Sequence, residues 1–410
     1  MKENFIHKTK CRICAGSDFV KILDLGKMPL ANAFLKEEDL SKEEQKFPLV
    51  VYFCKNCALL QLLDVVNPET LFKHYDYFTS ASRPLAEHFK RSGEWLAQKF
   101  IKSRDNLAVE IGGNDGVLLG AIKDRCRTLN IEPARNIADI SRQQGIETIS
   151  AFFDSSLAGR IVKDYGRTRL IVANNVVAHI DNLKDVFAGV KNLLENKGAF
   201  VFEVHWVGNL IGEGGFDQIY SEHLCYFSLN ALLPLIRKFG FEIFNMELVP
   251  IHGQSMRVYV GKGLDRSEAV DNFLEKEKKL GLLKAETFLK FAKKVKNNSR
   301  KLRNLLIRFK SEGKKVVGYG APAKGNTLLN YYKINENLLD FIVDTTPFKQ
   351  GLYTPGSHIR IYPPDKLKEA RPDYLLLLAW NYADAIMAKE TDFRKRGGKF
   401  IIPVPDVKIV

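Results

Sequence analysis

The chain contains 410 residues, 45% of them hydrophobic, and its 62 lysine and arginine residues outnumber its 48 aspartate and glutamate residues, for a formal net charge of +14. One hydrophobic core stops growing at roughly 250–300 residues, so this length predicts two to three domains. The sequence has no apolar run of about 18 residues, and its N-terminus lacks the apolar core of a signal peptide. We therefore expect a cytoplasmic protein that does not span a membrane.

Two Cys-x-x-Cys pairs stand near the N-terminus: Cys11 with Cys14, and Cys54 with Cys57. Each pair can place two thiolates on one side of a turn, and four thiolates complete a tetrahedral zinc site that has no open position for water. This pattern predicts a structural zinc ion in a small domain over residues 1–72. An isolated redox pair or buried thiols are the alternatives.

Residues 74–82 follow, and they are rich in hydroxyl and aromatic side chains, which is not typical of the interior of a helix or strand. Tyr75 and Tyr77 are candidates for a binding site, although aromatic residues before a helix more often serve packing. Apolar residues at helical spacing then predict a helix over residues 84–100.

The stretch from Val109 to Leu119 is an apolar run that breaks into glycines and resumes, which predicts a strand, a tight turn and a helix start. Its pattern is Glu-x-Gly-x-Asn-x-Gly, whereas dinucleotide sites carry Gly-x-Gly-x-x-Gly. Glu110 at the strand end and Asp115 in the turn would repel a pyrophosphate. They suit the ammonium and sulfonium groups of S-adenosylmethionine (SAM).

Glu132 ends the next predicted strand, where a carboxylate can accept hydrogen bonds from both hydroxyls of a ribose. We therefore predict a SAM site, with a glycine turn of some other βαβ unit as the alternative. The predicted cofactor-binding residues are Glu110, Gly112, Gly113, Asn114, Gly116, Glu132, Pro133, Asn174 and Asn175.

Strands and helices alternate over residues 73–262, which predicts a mostly parallel sheet in a second domain. Residues 170–175 form the strand whose carboxyl end should face the cofactor. The link between two later strands, residues 250–255, is too short for a parallel crossover and predicts an antiparallel pair.

A loop with Tyr220, Glu222 and His223 lies on the expected cofactor side of this sheet. Loops on a rigid scaffold often carry function, and a histidine beside a glutamate can have its pKa adjusted toward neutrality and act as a general base. A lone histidine would more often be structural, but several ionisable or hydroxylic groups in one loop favour a site.

The excess positive charge is concentrated in residues 263–310, where lysine and arginine alternate with apolar residues at roughly helical spacing. This pattern predicts a connector of one long basic helix or a helix pair with a solvated charged face. Binding of RNA or DNA through that face is the alternative, and we expect no nucleic acid partner.

Residues 311–410 are predicted to form a second, smaller α/β domain that opens with a strand and the glycine turn 318–326. Lys324 and the backbone amides of this turn could hold a phosphate. Pro322 removes one amide, however, and a turn that serves packing alone fits nearly as well.

Together these segments resemble the nucleotide-sugar C-methyltransferases that methylate C-3 of dTDP-linked 4-keto-deoxysugars. The resemblance covers nearly the whole chain. It rests on the four cysteines, the 75–82 segment, Glu110 to Gly116, the 173–179 strand end, the 220–228 loop and the 318–326 turn. Gln254 departs from the pattern, since we expect glycine there in many relatives.

The resemblance implies an α/β protein with an N-terminal small four-cysteine zinc-binding domain, a class I SAM-dependent methyltransferase (Rossmann-like) central domain and a smaller Rossmann-like C-terminal domain. It implies an enzyme that binds a nucleotide sugar, with His223 as the base. We expect a monomer that binds no membrane. The expected catalytic residues are His223, Glu222, Tyr220, Tyr75, Tyr77 and His179. The expected substrate-binding residues are Ser80, Ser82, Arg257, Lys324 and Asn326.

The chemistry can also be argued without the family. A carbon beside a ketone becomes nucleophilic once a base removes its proton, because the enolate spreads the charge onto oxygen. Tyrosine hydroxyls near that oxygen would stabilise it. An O- or N-methyltransferase on a related sugar remains an alternative, as does a zinc-ribbon protein that binds RNA.

Overall fold

The computed structural model describes residues 5–72, 78–250 and 254–410. Its first part consists of strands and one short helix: β1 (Phe5–His7), β2 (Phe19–Met28), β3 (Phe47–Cys54), β4 (Leu60–Leu62), β5 (Asp64–Val66) and α1 (Pro68–Phe72). Strands β2, β3 and β4 pair antiparallel, and β1 pairs with β5. Alternate side chains of β3 are buried, which gives the sheet one packed face.

The central part alternates helices and strands, as predicted. Its elements are α2 (Arg83–Phe100), β6 (Leu107–Ile111), α3 (Val117–Gly120), β7 (Arg127–Ile131), α4 (Arg135–Gln143), β8 (Thr148–Ile149), α5 (Ser155–Tyr165), β9 (Thr168–Asn174), α6 (Leu183–Leu193), β10 (Leu194–His205), α7 (Val207–Gly212), β11 (Cys225–Tyr226), α8 (Leu229–Lys238), β12 (Glu242–Val249) and β13 (Ser255–Gly261). Seven strands form one sheet in the order β12-β13-β10-β9-β6-β7-β8. Strands β6 to β10 are parallel, and β12 and β13 form the predicted antiparallel pair.

Strand β11 does not belong to the central sheet. It pairs antiparallel with β4 of the first part. It starts two residues after His223, so the loop that carries this histidine is anchored to the N-terminal sheet. The loop at residues 220–224 is therefore positioned by two parts of the chain.

The basic connector is a helix pair, α9 (Glu268–Lys279) and α10 (Ala285–Ser311). Of the two predicted forms, one long helix or a helix pair, the structure shows the pair. Helix α10 buries an apolar stripe that includes Phe288, Leu302 and Leu306. The rings of Phe53 and Phe288 lie 5.3 Å apart, so this stripe packs on the N-terminal sheet. Within the described ranges, no helix is both long and apolar enough to cross a membrane.

The last part is a second α/β unit. Its elements are β14 (Val316–Tyr319), α11 (Ala323–Tyr332), β15 (Ile342–Val343), β16 (Ile361–Tyr362), α12 (Lys366–Ala370), β17 (Tyr374–Leu377), α13 (Ala383–Lys389), α14 (Thr391–Lys395), β18 (Lys399–Ile402) and β19 (Lys408–Ile409). The sheet order is β16-β15-β14-β17-β18-β19, and only the pair at the β19 edge is antiparallel. The carboxyl end of β14 leads into the second glycine turn.

Candidate active site

The first glycine turn joins the carboxyl end of β6 to the start of α3. Gly112 has a φ of +65°, a left-handed conformation that favours glycine. A Cβ on Gly113 would overlap the side chain of Asn130, so the backbone there has room only for glycine. The turn can therefore approach a bound group closely.

Glu132 follows β7 and stabilises this turn through hydrogen bonds. Its Oε2 accepts a hydrogen bond from the backbone N–H of Asn114 at 3.0 Å, and its Oε1 accepts one from Ala134 at 2.9 Å. Burial raises the pKa of Glu132 to about 7. Thr79 reaches the same turn, since its backbone N–H donates to Asn114 Oδ1 at 2.9 Å.

Glu110 is an acidic group that is not fully satisfied by the described residues. Its Oε1 accepts a long hydrogen bond of 3.4 Å from Asn174, while its Oε2 is buried without a hydrogen-bond partner among them. Burial raises the pKa of Glu110 to about 8. A buried carboxylate oxygen beside a glycine cradle fits a ligand that brings a positive charge, which the amino and sulfonium groups of SAM do.

A cavity of about 1440 Å³ opens above this turn and extends to the second α/β unit. Among the predicted cofactor residues, those that line it are Glu110, Gly112, Gly113, Asn114, Glu132, Pro133, Asn174 and Asn175. Gly116 does not line it. Gly116 has a φ of +80° and faces Ile146 and Ser141, so its role there is to shape the turn.

His223 lines the cavity with one ring nitrogen fixed. Its Nδ1 lies 2.8 Å from the backbone carbonyl oxygen of Gln218. Because a carbonyl only accepts, Nδ1 carries the proton, and Nε2 of the neutral ring keeps a lone pair that can take one. The ring is packed among Tyr220, His179 and His205, with centroid distances of 4.0, 5.0 and 5.2 Å.

Three other predicted catalytic residues, His179, Tyr220 and Glu222, lie at the same cavity. Burial, with a smaller effect of His223, lowers the pKa of His179 to about 3. The Glu222 carboxylate accepts a hydrogen bond from Asn32 Nδ2 at 3.0 Å, and burial raises its pKa. The Nδ1 proton of His223 is thus held by a backbone carbonyl.

The second α/β unit contributes lysines to the far end of the cavity. Lys324, Lys349 and Lys389 line it there, together with the turn at Gly320. The Nζ of Lys324 donates to Asn381 Oδ1 at 2.5 Å and lies 3.9 Å from the centre of the Trp380 ring. Burial lowers the pKa of Lys324 to about 8.

The predicted substrate residues separate into two groups. Ser82 and Lys324 line the cavity, whereas Ser80 lies in a shallow neighbouring depression. Arg257 does not line the cavity, because it is opposite Glu203 across the β10–β13 pair and its Nε donates to that carboxylate at 2.7 Å. Asn326 is buried at the junction with the first part, where its Nδ2 donates to the Ala31 carbonyl oxygen at 2.7 Å.

Tyr75 and Tyr77 lie outside the described residues. Several cavity residues were not predicted, among them Gln218, His205 and Asn32 beside the predicted residues His223 and Glu222. His205 ends β10, so the rule that ligands bind beyond the carboxyl ends of parallel strands could have identified it. The Gln218 carbonyl and Asn32 had no such signal in the sequence.

The four predicted zinc ligands converge as the sequence suggested. Their sulfur atoms all lie within 4.8 Å of one another, with 3.5 Å between Cys11 and Cys57 and 3.5 Å between Cys14 and Cys54. A tetrahedral site with Zn–S bonds of about 2.3 Å separates its sulfurs by about 3.8 Å. The cluster therefore fits a closed, structural zinc ion.

Three family models match successive parts of the chain. Residues 11–72 match a zinc-binding domain, residues 82–245 a methyltransferase domain, and residues 250–405 a C-methyltransferase C-terminal domain. The C-methyltransferase NovU of Streptomyces niveus is 34% identical over 405 residues, which cover 98% of this chain and 96% of that protein.

Solved methyltransferase structures match a part of the chain. An S-adenosylmethionine-dependent methyltransferase from Clostridium acetobutylicum is 14% identical, with a TM-score of 0.34 over 43% of this chain and 92% of its own. Magnesium protoporphyrin IX methyltransferase from Synechocystis, with bound SAH, is 10% identical, with a TM-score of 0.34 over 43% and 83%. By its full-length similarity to NovU and by the three matched domains, the chain belongs to the family of SAM-dependent C-methyltransferases that carry an N-terminal zinc-binding domain and a C-methyltransferase C-terminal domain.

Proposed function

We propose that this enzyme methylates C-3 of a nucleotide-linked 4-keto-deoxysugar, with dTDP as the nucleotide, and that His223 forms the enolate that accepts the methyl group. The observation that carries the proposal is the hydrogen bond from His223 Nδ1 to the Gln218 carbonyl. It leaves Nε2 as the basic atom of a ring that lies in the same cavity as the cofactor turn.

The size of the cavity supports two ligands. Single-ligand pockets measure about 300–1,000 Å³, and this cavity measures about 1440 Å³. The glycine turn with Glu110 and Glu132 accounts for one end. The remaining space suits a second molecule as long as a nucleotide sugar.

The charge of the far end supports an anionic substrate. Three lysines, Lys324, Lys349 and Lys389, lie there with one carboxylate, Asp344, while the acidic residues Glu110 and Glu132 are at the cofactor end. A diphosphate between a nucleoside and a sugar would meet the lysines and leave the sugar toward His223. The two ends thus favour opposite charges, which would orient the substrate.

The residues around His223 suit proton removal from carbon. The C–H bond breaks, the proton moves to Nε2, and the electron pair moves onto the ketone oxygen. The Gln218 carbonyl stabilises the resulting imidazolium through Nδ1, and the hydroxyl of Tyr220 is a candidate donor to the enolate oxygen. Preorganised donors of this kind typically contribute about 10²–10³-fold each. SAM, when bound, supplies the methyl group.

The test is the product of a reaction with methyl-labelled SAM and a dTDP-4-keto-deoxysugar. We expect a carbon spectrum with a labelled methyl on a quaternary carbon. A methoxy or methylamino signal would show an O- or N-methyltransferase instead, and turnover of a sugar without a nucleotide would contradict the need for the lysine end.

A second test replaces the proposed base, His223. General bases contribute about 10²–10⁴-fold, so we expect His223→Ala to lose at least about a hundredfold in kcat. His7→Ala is the matched control, because His7 lies on β1, half exposed and away from the cavity. Full turnover by His223→Ala would overturn the base assignment.

A further inference from the structure

The carbonyl that fixes His223 belongs to a turn, residues 214–218, that precedes the active-site loop. Gln218 accepts the Nδ1 proton of His223 at 2.8 Å. A shift of this turn that breaks the hydrogen bond would remove the constraint on which nitrogen of His223 carries the proton and on where Nε2 points.

The turn is packed against the second α/β unit although it belongs to the central part of the chain. The ring of Phe216 is stacked on Tyr332 of α11, with centroids 5.0 Å apart and planes 13° from parallel. A Cβ on Gly214 would lie 2.9 Å from Cα of Pro405, which shows how closely the two backbones approach. The C-terminal unit thus packs against the turn whose carbonyl contacts His223.

Asp217 supplies the directional contact of this interface. Its carboxylate is fully buried, and Oδ2 accepts a hydrogen bond of 2.6 Å from Nε1 of Trp380. Its Oδ1 has no hydrogen-bond partner within the described parts of the chain. The Trp380 bond is therefore the principal side-chain contact that satisfies this carboxylate, and its loss would remove the side-chain donor of a buried oxygen.

Trp380 also touches the cavity through Lys324. The ammonium of Lys324 lies 3.9 Å from the centre of the Trp380 ring, a cation–π contact, and Lys324 lines the lysine end of the cavity. One indole therefore contacts the substrate-facing cation on its face and the base-holding turn at its N–H.

We propose that Trp380 and Asp217 are positioning residues: the C-terminal unit holds residues 214–218 through this pair and thereby aligns His223 for proton removal. This inference rests on the proposed role of His223 as the base. Under this proposal the C-terminal unit lines the cavity and also holds the base in position for catalysis.

The experiment measures proton removal apart from methyl transfer. Full-length enzyme is incubated in D2O with the dTDP-4-keto-deoxysugar and S-adenosylhomocysteine, and deuterium entry at C-3 is followed by NMR. A misplacement of about 1 Å can cost about a hundredfold, so we expect Trp380→Phe to slow exchange and kcat by about tenfold to hundredfold. The KM for SAM should stay within about twofold.

Matched variants separate positioning from folding. Trp95→Phe makes the same change on α2, away from the cavity, and should exchange at the normal rate. Asp217→Asn keeps an oxygen for the Trp380 N–H and should retain more exchange than Asp217→Ala. The ¹⁵N shifts of His223, assigned with His223→Ala, should show a mixture of tautomers in Trp380→Phe and a single tautomer in the wild type.

The outcomes distinguish this inference from the function it rests on. Normal exchange in His223→Ala would overturn the base. Loss of exchange in His223→Ala together with normal exchange and an unchanged tautomer in Trp380→Phe would overturn only the positioning role. An equal loss of SAM affinity and exchange in Trp380→Phe would likewise contradict it, because a general loss of structure would then explain both.

Discussion

His179 and His223 stack their imidazole rings beside the cavity, with centroids 5.0 Å apart and planes 26° from parallel. On its other side His179 stacks on Phe72, with ring centroids 5.7 Å apart. Burial lowers the pKa of His179 to about 3, so its ring is neutral near pH 7. A neutral ring supports His223 without opposing the positive charge that His223 would gain as the proposed base.

This relationship predicts that the ring face of His179 matters more than its charge. His179→Phe keeps a neutral ring in the stack, and we expect kcat within about tenfold of the wild type. His179→Ala removes the ring and lets His223 tilt, for which a loss of about a hundredfold is expected. Steady-state kinetics check this, and equal losses in both variants would show that a nitrogen of His179 is needed instead.

The acidic cofactor end predicts that SAM binds more tightly as the pH rises from about 6 to about 8. Burial raises the pKa of Glu132 to about 7 and that of Glu110 to about 8. Below these values the carboxyl groups are neutral and attract a cation weakly; above them both are charged. Binding of the cationic cofactor should therefore release protons when it starts from the protonated forms.

Calorimetry in two buffers of different ionisation enthalpy, at pH 7, measures that proton release. Glu110→Gln should weaken SAM binding and reduce both the release and the pH dependence. Glu69→Gln is the control, since Glu69 lies on α1 and does not line the cavity. A SAM affinity that stays constant between pH 6 and 8 would contradict the assignment of Glu110 and Glu132 to the cationic ligand.

The features that the sequence predicted are those encoded locally. The glycine turn needs residues without a Cβ at consecutive positions, so Gly112 and Gly113 reveal it. The zinc cluster follows from ligand spacing, and the amphipathic period of α10 reveals its buried stripe. In each case a short segment determines its own geometry.

The features that the sequence did not predict depend on strand register or on backbone atoms. Arg257 was predicted to contact the substrate, but in the observed strand register it faces Glu203 and donates to its carboxylate. The hydrogen bond to His223 comes from the main chain of Gln218, and every residue has a carbonyl, so no residue type marks it. The pairing of β11 with β4 joins segments far apart in sequence.

The zinc site predicts a local loss of structure when one ligand is removed. Zinc contributes roughly 10–16 kcal/mol to the folding of isolated zinc-finger peptides, and Cys54 is a fully buried ligand at the end of β3. Cys54→Ala should lower the metal content from one zinc per chain to near zero by elemental analysis. Amide exchange in β2, β3 and β4 should rise.

Cys126→Ala is the control for this experiment. Cys126 is also buried, but it lies outside the cluster of four cysteines. It should keep one zinc per chain and the exchange pattern of the wild type. Full protection of β2 to β4 in zinc-free Cys54→Ala would contradict a folding role for the metal.

Replacement of Glu277, which does not line the cavity, is expected to lower the stability of the protein strongly. This fully buried carboxylate on α9 accepts hydrogen bonds from the backbone N–H groups of Leu229 and Asn230 at the start of α8, and from Nε1 of Trp206 at 2.8 Å. Each buried donor left without a partner costs about 1–3 kcal/mol, so Glu277→Ala should destabilise the protein by at least about 3 kcal/mol. Glu275→Ala, on the same helix in an exposed pair with Lys278, should change stability by less than about 1 kcal/mol. Urea midpoints by circular dichroism compare the two, and equal midpoints would mean that water replaces the carboxylate at the start of α8.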